Sequence, residues 1–133
     1  EEMPIENITF SDINLDAKSG FDISNSNRIE FHNVQINTEM GGSIKANKVN
    51  NLTINNVKSY TPLANSPILD LKNVNDAFIY NSNPFAGTDT YLRLSGADTK
   101  NISLGNNNFR NAKTPVKKEA DVKEEVKVIS RDK

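Results

Sequence analysis

Four charged residues recur at similar intervals along the chain and alternate in sign. Asp22, Lys45, Asp70 and Arg93 are separated by 23, 25 and 23 residues, and each lies between two apolar neighbours. Lys45 and Arg93 carry donors that can pair with a carboxylate of a ligand. The alternation of sign instead favours a stacked charge ladder, in which each exposed pair contributes at most about 1 kcal/mol. Anion binding by Lys45 and Arg93 is the alternative.

Two aromatic residues are candidates for stacking on a sugar ring. Phe78 and Tyr80 are two residues apart, so on a strand both rings would stand on the same face. Their alternative role is packing beneath a loop, for which residues 83–87 are the nearest candidate. His32 is the single histidine, and a metal ion would need further ligands beside it, so we expect a surface residue.

Other chemistry is limited by composition. The chain has no cysteine, which excludes disulfides, thiolate metal sites and thiol nucleophiles. A net charge of −1 creates no field that would recruit nucleic acid or an anionic membrane. No apolar run approaches the roughly 20 residues that a membrane-spanning helix needs. We therefore expect neither a nucleic-acid nor a membrane partner, and we predict no cofactor-binding or metal-binding residue.

A short motif that ends in Asn or Asp recurs five times and must position these candidates. Two apolar residues at i and i+2 precede the closing residue, and the copies follow at 21, 23, 25 and 25 residues. The closing residues are Asp12, Asn33, Asn56, Asn81 and Asn106. Asparagine is also abundant in the chain as a whole, with 21 of 133 residues. Because Asn tolerates positive φ and bonds to nearby backbone, the motif predicts one sharp bend per repeat.

Each repeat contains several apolar i, i+2 pairs, which indicate short strands with one buried face. Strands this short are unstable as a meander, but in a coil each pairs in parallel with its equivalent one repeat later. Leucine-rich repeats have a similar period, but they require a helix, and residues 5–112 show no helical periodicity. The sequence therefore predicts an all-β, right-handed parallel β-helix of about five coils over residues 1–112.

Stacked coils lie about 4.8 Å apart, so the closing amides can bond to one another along the axis. We predict an Asn ladder of Asn33, Asn56, Asn81 and Asn106, with Asp12 at its open end. These side chains are expected to face inward or to be buried in the bend. Asn55, one residue earlier, is expected to point outward and to contribute little.

The coil sequences resemble those of a known family. Residues 4–112 include "PIENITFSDINL", "FDISNSNRIEFHNVQI", "VNNLTINNV" and "GTDTYLRLSGADTKNI". They resemble the C-terminal coils of polygalacturonase-like, pectin-degrading glycoside hydrolases. The resemblance implies a secreted or periplasmic protein and a uronic-acid polysaccharide as the partner of the parent enzyme. A uronate carboxylate would then be the anion that Lys45 and Arg93 bind, in the alternative to the charge ladder.

The catalytic pattern of that family is absent from the chain. Inverting hydrolysis needs a protonated carboxyl and a carboxylate on opposite sides of the sugar. The sequence has no Asp-Asp pair, and His32 lacks flanking glycines. The Asn-x-Asp triplet at residues 14–16 is expected to lie off the coil strands. The chain is therefore predicted to be the non-catalytic C-terminal portion of such a hydrolase; the alternative is a non-catalytic β-helix module for glycan binding or scaffolding.

The two ends of the coil region differ. Residues 113–133, "KTPVKKEADVKEEVKVISRDK", are highly charged and are predicted to form an irregular cap on the last coil. Residues 1–4 are too short to cover the apolar layer that begins at Ile8. This asymmetry predicts that the chain is the end of a longer solenoid. It also predicts a homodimer through the uncapped first coil.

Overall fold

The computed structural model describes residues 5–129, and the regular structure within them consists only of strands. No helix among these residues could cross a membrane. The segments 1–4 and 130–133 lie outside the described residues, and so do the predictions that concern them. The strands are β1 (Ile5–Ala17), β2 (Phe21–Thr38), β3 (Ile44–Lys58), β4 (Leu69–Tyr80), β5 (Thr88–Ser95), β6 (Lys100–Gly105), β7 (Ala112–Lys118) and β8 (Lys127–Ile129).

All strand pairs are parallel, and their register reproduces the period of the sequence motif. Ile8 lies opposite Ile29, Ile29 opposite Leu52, Leu52 opposite Ala77, and Ala77 opposite Ile102. These offsets of 21, 23, 25 and 25 residues equal the spacings of the closing residues. The predicted parallel β-solenoid of about five turns is therefore confirmed.

Inward side chains of successive coils form continuous apolar columns. Ile29, Leu52, Ala77 and Ile102 make one such column, and each is at most 3% exposed. Burying a large aliphatic side chain contributes about 1.5–3 kcal/mol, whereas an exposed ion pair contributes about 1 kcal/mol or less. The columns, rather than the surface pairs, hold the coils together.

The first coil is the least covered. The Phe10 ring packs against Phe21 and Phe31, with ring centroids 4.8 and 4.9 Å apart. Ile5 and Leu15 remain 55% and 41% exposed. Among the described strands, β1 pairs only with β2.

The chain bends at residues with left-handed φ, and equivalent bends of successive coils stack in columns. There are three of these columns, whereas the sequence predicted one. Asparagine predominates because its short polar side chain reduces the cost of positive φ. Most of these bends lie within β1 to β4, where they redirect the chain without interrupting the ladder of backbone hydrogen bonds for long. The columns are Asp12, Asn33, Asn56, Asn81 and Asn106; Asn7, Arg28, Asn51, Asp76 and Asn101; and Asn25, Lys48, Asn73 and Gly96.

The charged tail adds strands to the end of the solenoid. β7 begins at Ala112 and pairs with β5, while β8 pairs with β6. Residues 119–126 between them are irregular, and Val122 is buried. The tail therefore covers the last full coil, as a cap must.

Candidate functional site

The lower part of the Asn ladder forms as predicted, but on the outside of the bend. Asn33 Nδ2 donates to Asp12 Oδ1 at 3.3 Å, and Asn56 Nδ2 donates to Asn33 Oδ1 at 3.1 Å. Asp12 and Asn33 are exposed and Asn56 is half-buried, so the expectation of inward or buried side chains is wrong. The bends occupy left-handed φ, and these amides are directed away from the apolar columns.

The upper part of the ladder has a different partner from the one predicted. Asn106 Nδ2 donates to Asn81 Oδ1 at 2.6 Å, but Asn81 Nδ2 donates to Asn55 Oδ1 at 3.1 Å and not to Asn56. The pairing of β3 with β4 ends at Asn55–Tyr80. Lower in the stack, pairing resumes after the bend and keeps the bend residues aligned. No pair of β3 and β4 follows the bend, so backbone pairing does not hold Asn81 in line with Asn56.

Asn55 connects the ladder to the single histidine. Its Nδ2 lies 2.9 Å from His32 Nδ1, and His32 Nε2 lies 2.8 Å from Glu30 Oε1. An amide NH₂ can only donate, so in this arrangement Nδ1 accepts and the ring proton on Nε2 is directed to Glu30. The row Glu30, His32, Asn55 and Asn81 is thus one continuous chain of hydrogen bonds. The prediction that Asn55 contributes little is inconsistent with these bonds.

The two candidate aromatic residues stack on one another beside this chain. The Phe78 and Tyr80 rings are 4.5 Å apart with an interplanar angle of 10°. A Cβ added at Gly105 would lie 3.1 Å from the Phe78 ring and 3.9 Å from Ile129 Cβ. Gly105 therefore leaves the space that the Phe78 ring occupies. This role of Gly105 was not predicted, although the sequence places a glycine opposite Tyr80 in the next coil.

The loop that was expected to cover these rings packs elsewhere. In residues 83–87, the Phe85 ring lies 3.8 Å from the Tyr60 ring, and Lys58 Nζ lies 5.1 Å from the Phe85 centroid. Phe78 keeps 37% of its surface exposed. The stacked pair is consequently accessible from solvent.

Phe78, Tyr80, Asn55, His32 and Glu30 form what we call the aromatic–amide face. In the sheet register Tyr80 lies directly above Asn55, and Asn55 above His32. Apolar ring edges thus adjoin amide, imidazole and carboxylate groups. Such a combination suits a ligand that has both an apolar face and hydroxyl groups.

The predicted charge row forms in part and lies on another segment of the coil. Arg93 bonds to Asp70 at 3.1 Å and to Glu119 at 2.9 Å. The hydrogen bond that Arg93 donates to Glu119 is the main cause that raises the pKa of Arg93 above its ordinary value; burial opposes it, and the charge of Asp70 adds to it. Its donors are thus already engaged by two carboxylates. Lys45 is exposed and has no ion-pair partner among the described residues.

The acidic residues and the histidine of residues 5–129 do not assemble into a candidate metal site. No group of three His, Cys, Asp or Glu side chains there could hold a metal ion. The triplet at residues 14–16 lies on β1, contrary to expectation. Asn14 Oδ1 accepts from Gln35, and Asp16 Oδ1 accepts from Asn37 at 2.7 Å, so both take part in inter-coil ladders.

In comparisons with known proteins, the chain matches no family model, no curated protein and no solved structure. The inference of function therefore depends on the chemistry of the aromatic–amide face and of the surfaces around it.

Proposed function

We propose that this chain is a non-catalytic β-solenoid segment that binds glycan through the aromatic–amide face. The observation that supports this most is the stacked Phe78–Tyr80 pair, which remains accessible beside a chain of polar groups. The C–H face of a pyranose can pack on an exposed aromatic ring, while its hydroxyls can bond to amide and carboxylate groups.

The face is suited to binding rather than to hydrolysis. Its one carboxylate, Glu30, is hydrogen-bonded to His32, and no second carboxylate belongs to it. Hydrolysis of a glycosidic bond with inversion requires two carboxyl groups about 6.5–9.5 Å apart. We therefore expect this chain to release no reducing ends from polygalacturonate. Turnover that is abolished by a single Asp or Glu substitution would contradict this expectation.

The resemblance of the coil sequences to polygalacturonase-like hydrolases suggests the wider setting. We propose that the chain is the C-terminal portion of such an enzyme, secreted or periplasmic, which acts on a pectin-type uronic-acid polysaccharide. In that setting the segment contributes rigidity and substrate contacts away from the catalytic coils. A solenoid transmits such rigidity because each coil is supported by its neighbours.

Residue-resolved NMR titration with a neutral probe tests the face. Cellotriose added to the ¹⁵N-labelled chain should shift the amide signals of Tyr80 and Asn55. Phe78→Ala should weaken the binding about threefold to tenfold, because an aromatic contact contributes roughly 0.5–1.5 kcal/mol. Met40→Ala is the matched control, since Met40 is also an exposed apolar residue, at 57%. Equal binding by the two variants, or shifts only at other residues, would refute the proposal.

A further inference from the structure

One chain of side-chain hydrogen bonds on the solenoid has a direction. Asn106 Nδ2 donates to Asn81 Oδ1 at 2.6 Å, and Asn81 Nδ2 donates to Asn55 Oδ1 at 3.1 Å. Asn55 Nδ2 then lies 2.9 Å from His32 Nδ1. Each amide therefore donates toward the histidine and accepts from the side of the tail. We call His32, Asn55, Asn81 and Asn106 the amide relay.

The relay ends on a group whose number of donors changes with pH. A neutral imidazole has one nitrogen that donates and one that accepts, whereas in the protonated ring both nitrogens donate. Histidine is the side chain whose charge ordinarily changes between about pH 5 and pH 8. The His32 side chain is 25% exposed, so water can deliver the proton.

The surroundings of His32 direct an added proton to Nδ1. Nε2 lies 2.8 Å from Glu30 Oε1, and Glu30 is the one carboxylate within ion-pair distance of the ring among the described residues. The strands packed against His32 place the uncharged Ser11 and Asn55 opposite it. Asp12, which follows Ser11, is bonded in the other ladder, and no lysine of β3 is in register with His32. Nε2 keeps its partner in both forms, so the change of charge alters the contact with Asn55.

We propose that protonation of His32 reverses the direction of the amide relay. The proton comes from water and binds Nδ1, where a donor then faces the Asn55 Nδ2 donor, and their hydrogen bond is lost. A half-turn of the Asn55 amide presents Oδ1 to His32 and restores this bond, because the two ends of an amide exchange acceptor and donor. The proposal concerns bonds within the protein and goes beyond the proposed function.

The reversal extends along the whole relay because every partial rotation leaves one bond unmade. If only the Asn55 amide turns, its Nδ2 faces Asn81 Nδ2, and two donors meet. If Asn81 also turns, the same conflict moves to Asn106. When all three amides turn, each of the three bonds forms again in the opposite direction. Asn106 is exposed, so water solvates it in either orientation.

The neighbouring ladder is a matched control within the same molecule. Asn56 Nδ2 donates to Asn33 Oδ1 at 3.1 Å, and Asn33 Nδ2 donates to Asp12 Oδ1 at 3.3 Å. This ladder ends on a carboxylate, and an ionised carboxylate can only accept. It has no bond to His32, so protonation of His32 should leave its direction unchanged.

Side-chain NMR of the ¹⁵N-labelled chain between about pH 8 and pH 5 tests the relay. At the higher pH a scalar coupling across the hydrogen bond should join Asn55 Nδ2 to His32 Nδ1, and it should be lost at the lower pH. The Nδ2 signals of Asn55, Asn81 and Asn106 should shift with the midpoint of the His32 ring signals. The Asn56 signal should show no change at that midpoint.

Two variants assign the response to His32. In His32→Gln, a polar side chain that does not titrate in this range, the three relay signals should lose the shared midpoint. Glu30→Gln should keep a shared midpoint, because Nδ1 and not Nε2 contacts the relay.

Four results would overturn the proposal. The first is an Asn55 signal that does not follow the ring, and the second is a response confined to Asn55, which would indicate the loss of one bond without reversal. The third is an Asn56 signal with the same midpoint, which would indicate a general change of the solenoid. The fourth is a response that persists in His32→Gln. The experiment contains no glycan, so none of these results bears on the proposed function.

Discussion

Replacing Asn81 by Ala tests the ladder where the structure departs from the simple stacking of equivalent residues. Asn81 has φ 59° and takes part in two side-chain hydrogen bonds, one donated to Asn55 and one accepted from Asn106. Ala cannot form either bond. It also lacks the side chain that makes the left-handed conformation tolerable for Asn.

The expected loss of stability is the sum of the two missing hydrogen bonds and the cost of the left-handed conformation. Two hydrogen bonds between exposed groups contribute about 1–2 kcal/mol together, and the left-handed conformation costs Ala about 1 kcal/mol. Asn81→Ala should therefore lower the free energy of unfolding by about 2–3 kcal/mol. Asn81→Gly loses the same two bonds but tolerates the bend, so it should cost about 1 kcal/mol less.

Urea denaturation followed by far-ultraviolet circular dichroism measures these differences as midpoint shifts at constant m-value. A double-mutant cycle then identifies the partner of Asn81. Coupling with Asn55→Ala should be about 0.5–1 kcal/mol, whereas coupling with Asn56→Ala should be near zero. A loss below about 0.5 kcal/mol in Asn81→Ala, or coupling to Asn56 in place of Asn55, would refute this reasoning.

Three further predictions concern the core, a bend and the first coil. Burial raises the pKa of the Tyr91 hydroxyl well above its ordinary value of 10.0, and the hydrogen bond with Ser82 offsets part of this rise. Above pH 10 the folded state therefore keeps this proton, whereas the unfolded state loses it. Stability should then be unaffected by Tyr91 below pH 10 and fall by about 1.4 kcal/mol per pH unit above it, and Tyr91→Phe should reduce that slope in alkaline denaturation. An unchanged slope in Tyr91→Phe would show that Tyr91 is not the group responsible for it. Gly96 has φ 95°, and a Cβ there would clash with Asn73. Gly96→Ala should therefore lower the free energy of unfolding by more than about 2 kcal/mol in urea denaturation. A near-neutral effect would be inconsistent with the bend. The chain should self-associate through the outer edge of β1, and Thr9→Lys should shift it toward monomer in sedimentation; a wild-type chain that stays monomeric at all concentrations tested would contradict this.

The coil itself could be predicted because its cause is repetitive and local. Apolar i, i+2 pairs and an Asn or Asp at each closing bend recur at 21 to 25 residues, and only parallel stacking buries all of those pairs at once. The register of β1 to β4 and β6 then follows from the spacing alone. The other two columns of bends escaped prediction because Arg28 and Lys48, which give no turn signal like that of Asn, interrupt them.

The functional surfaces depend on contacts that no periodicity specifies. The pairing of β3 with β4 ends at Asn55–Tyr80, after which Asn81 bonds to Asn55, and Arg93 bonds to Glu119 of the tail. The Phe78 ring packs against Gly105 of the neighbouring coil because this residue has no side chain to occupy the space. Spacing along the chain determines which backbones stack, since parallel pairing repeats every coil. Which side chains meet is decided only in three dimensions, because it depends on rotamers and on the paths of the loops between coils.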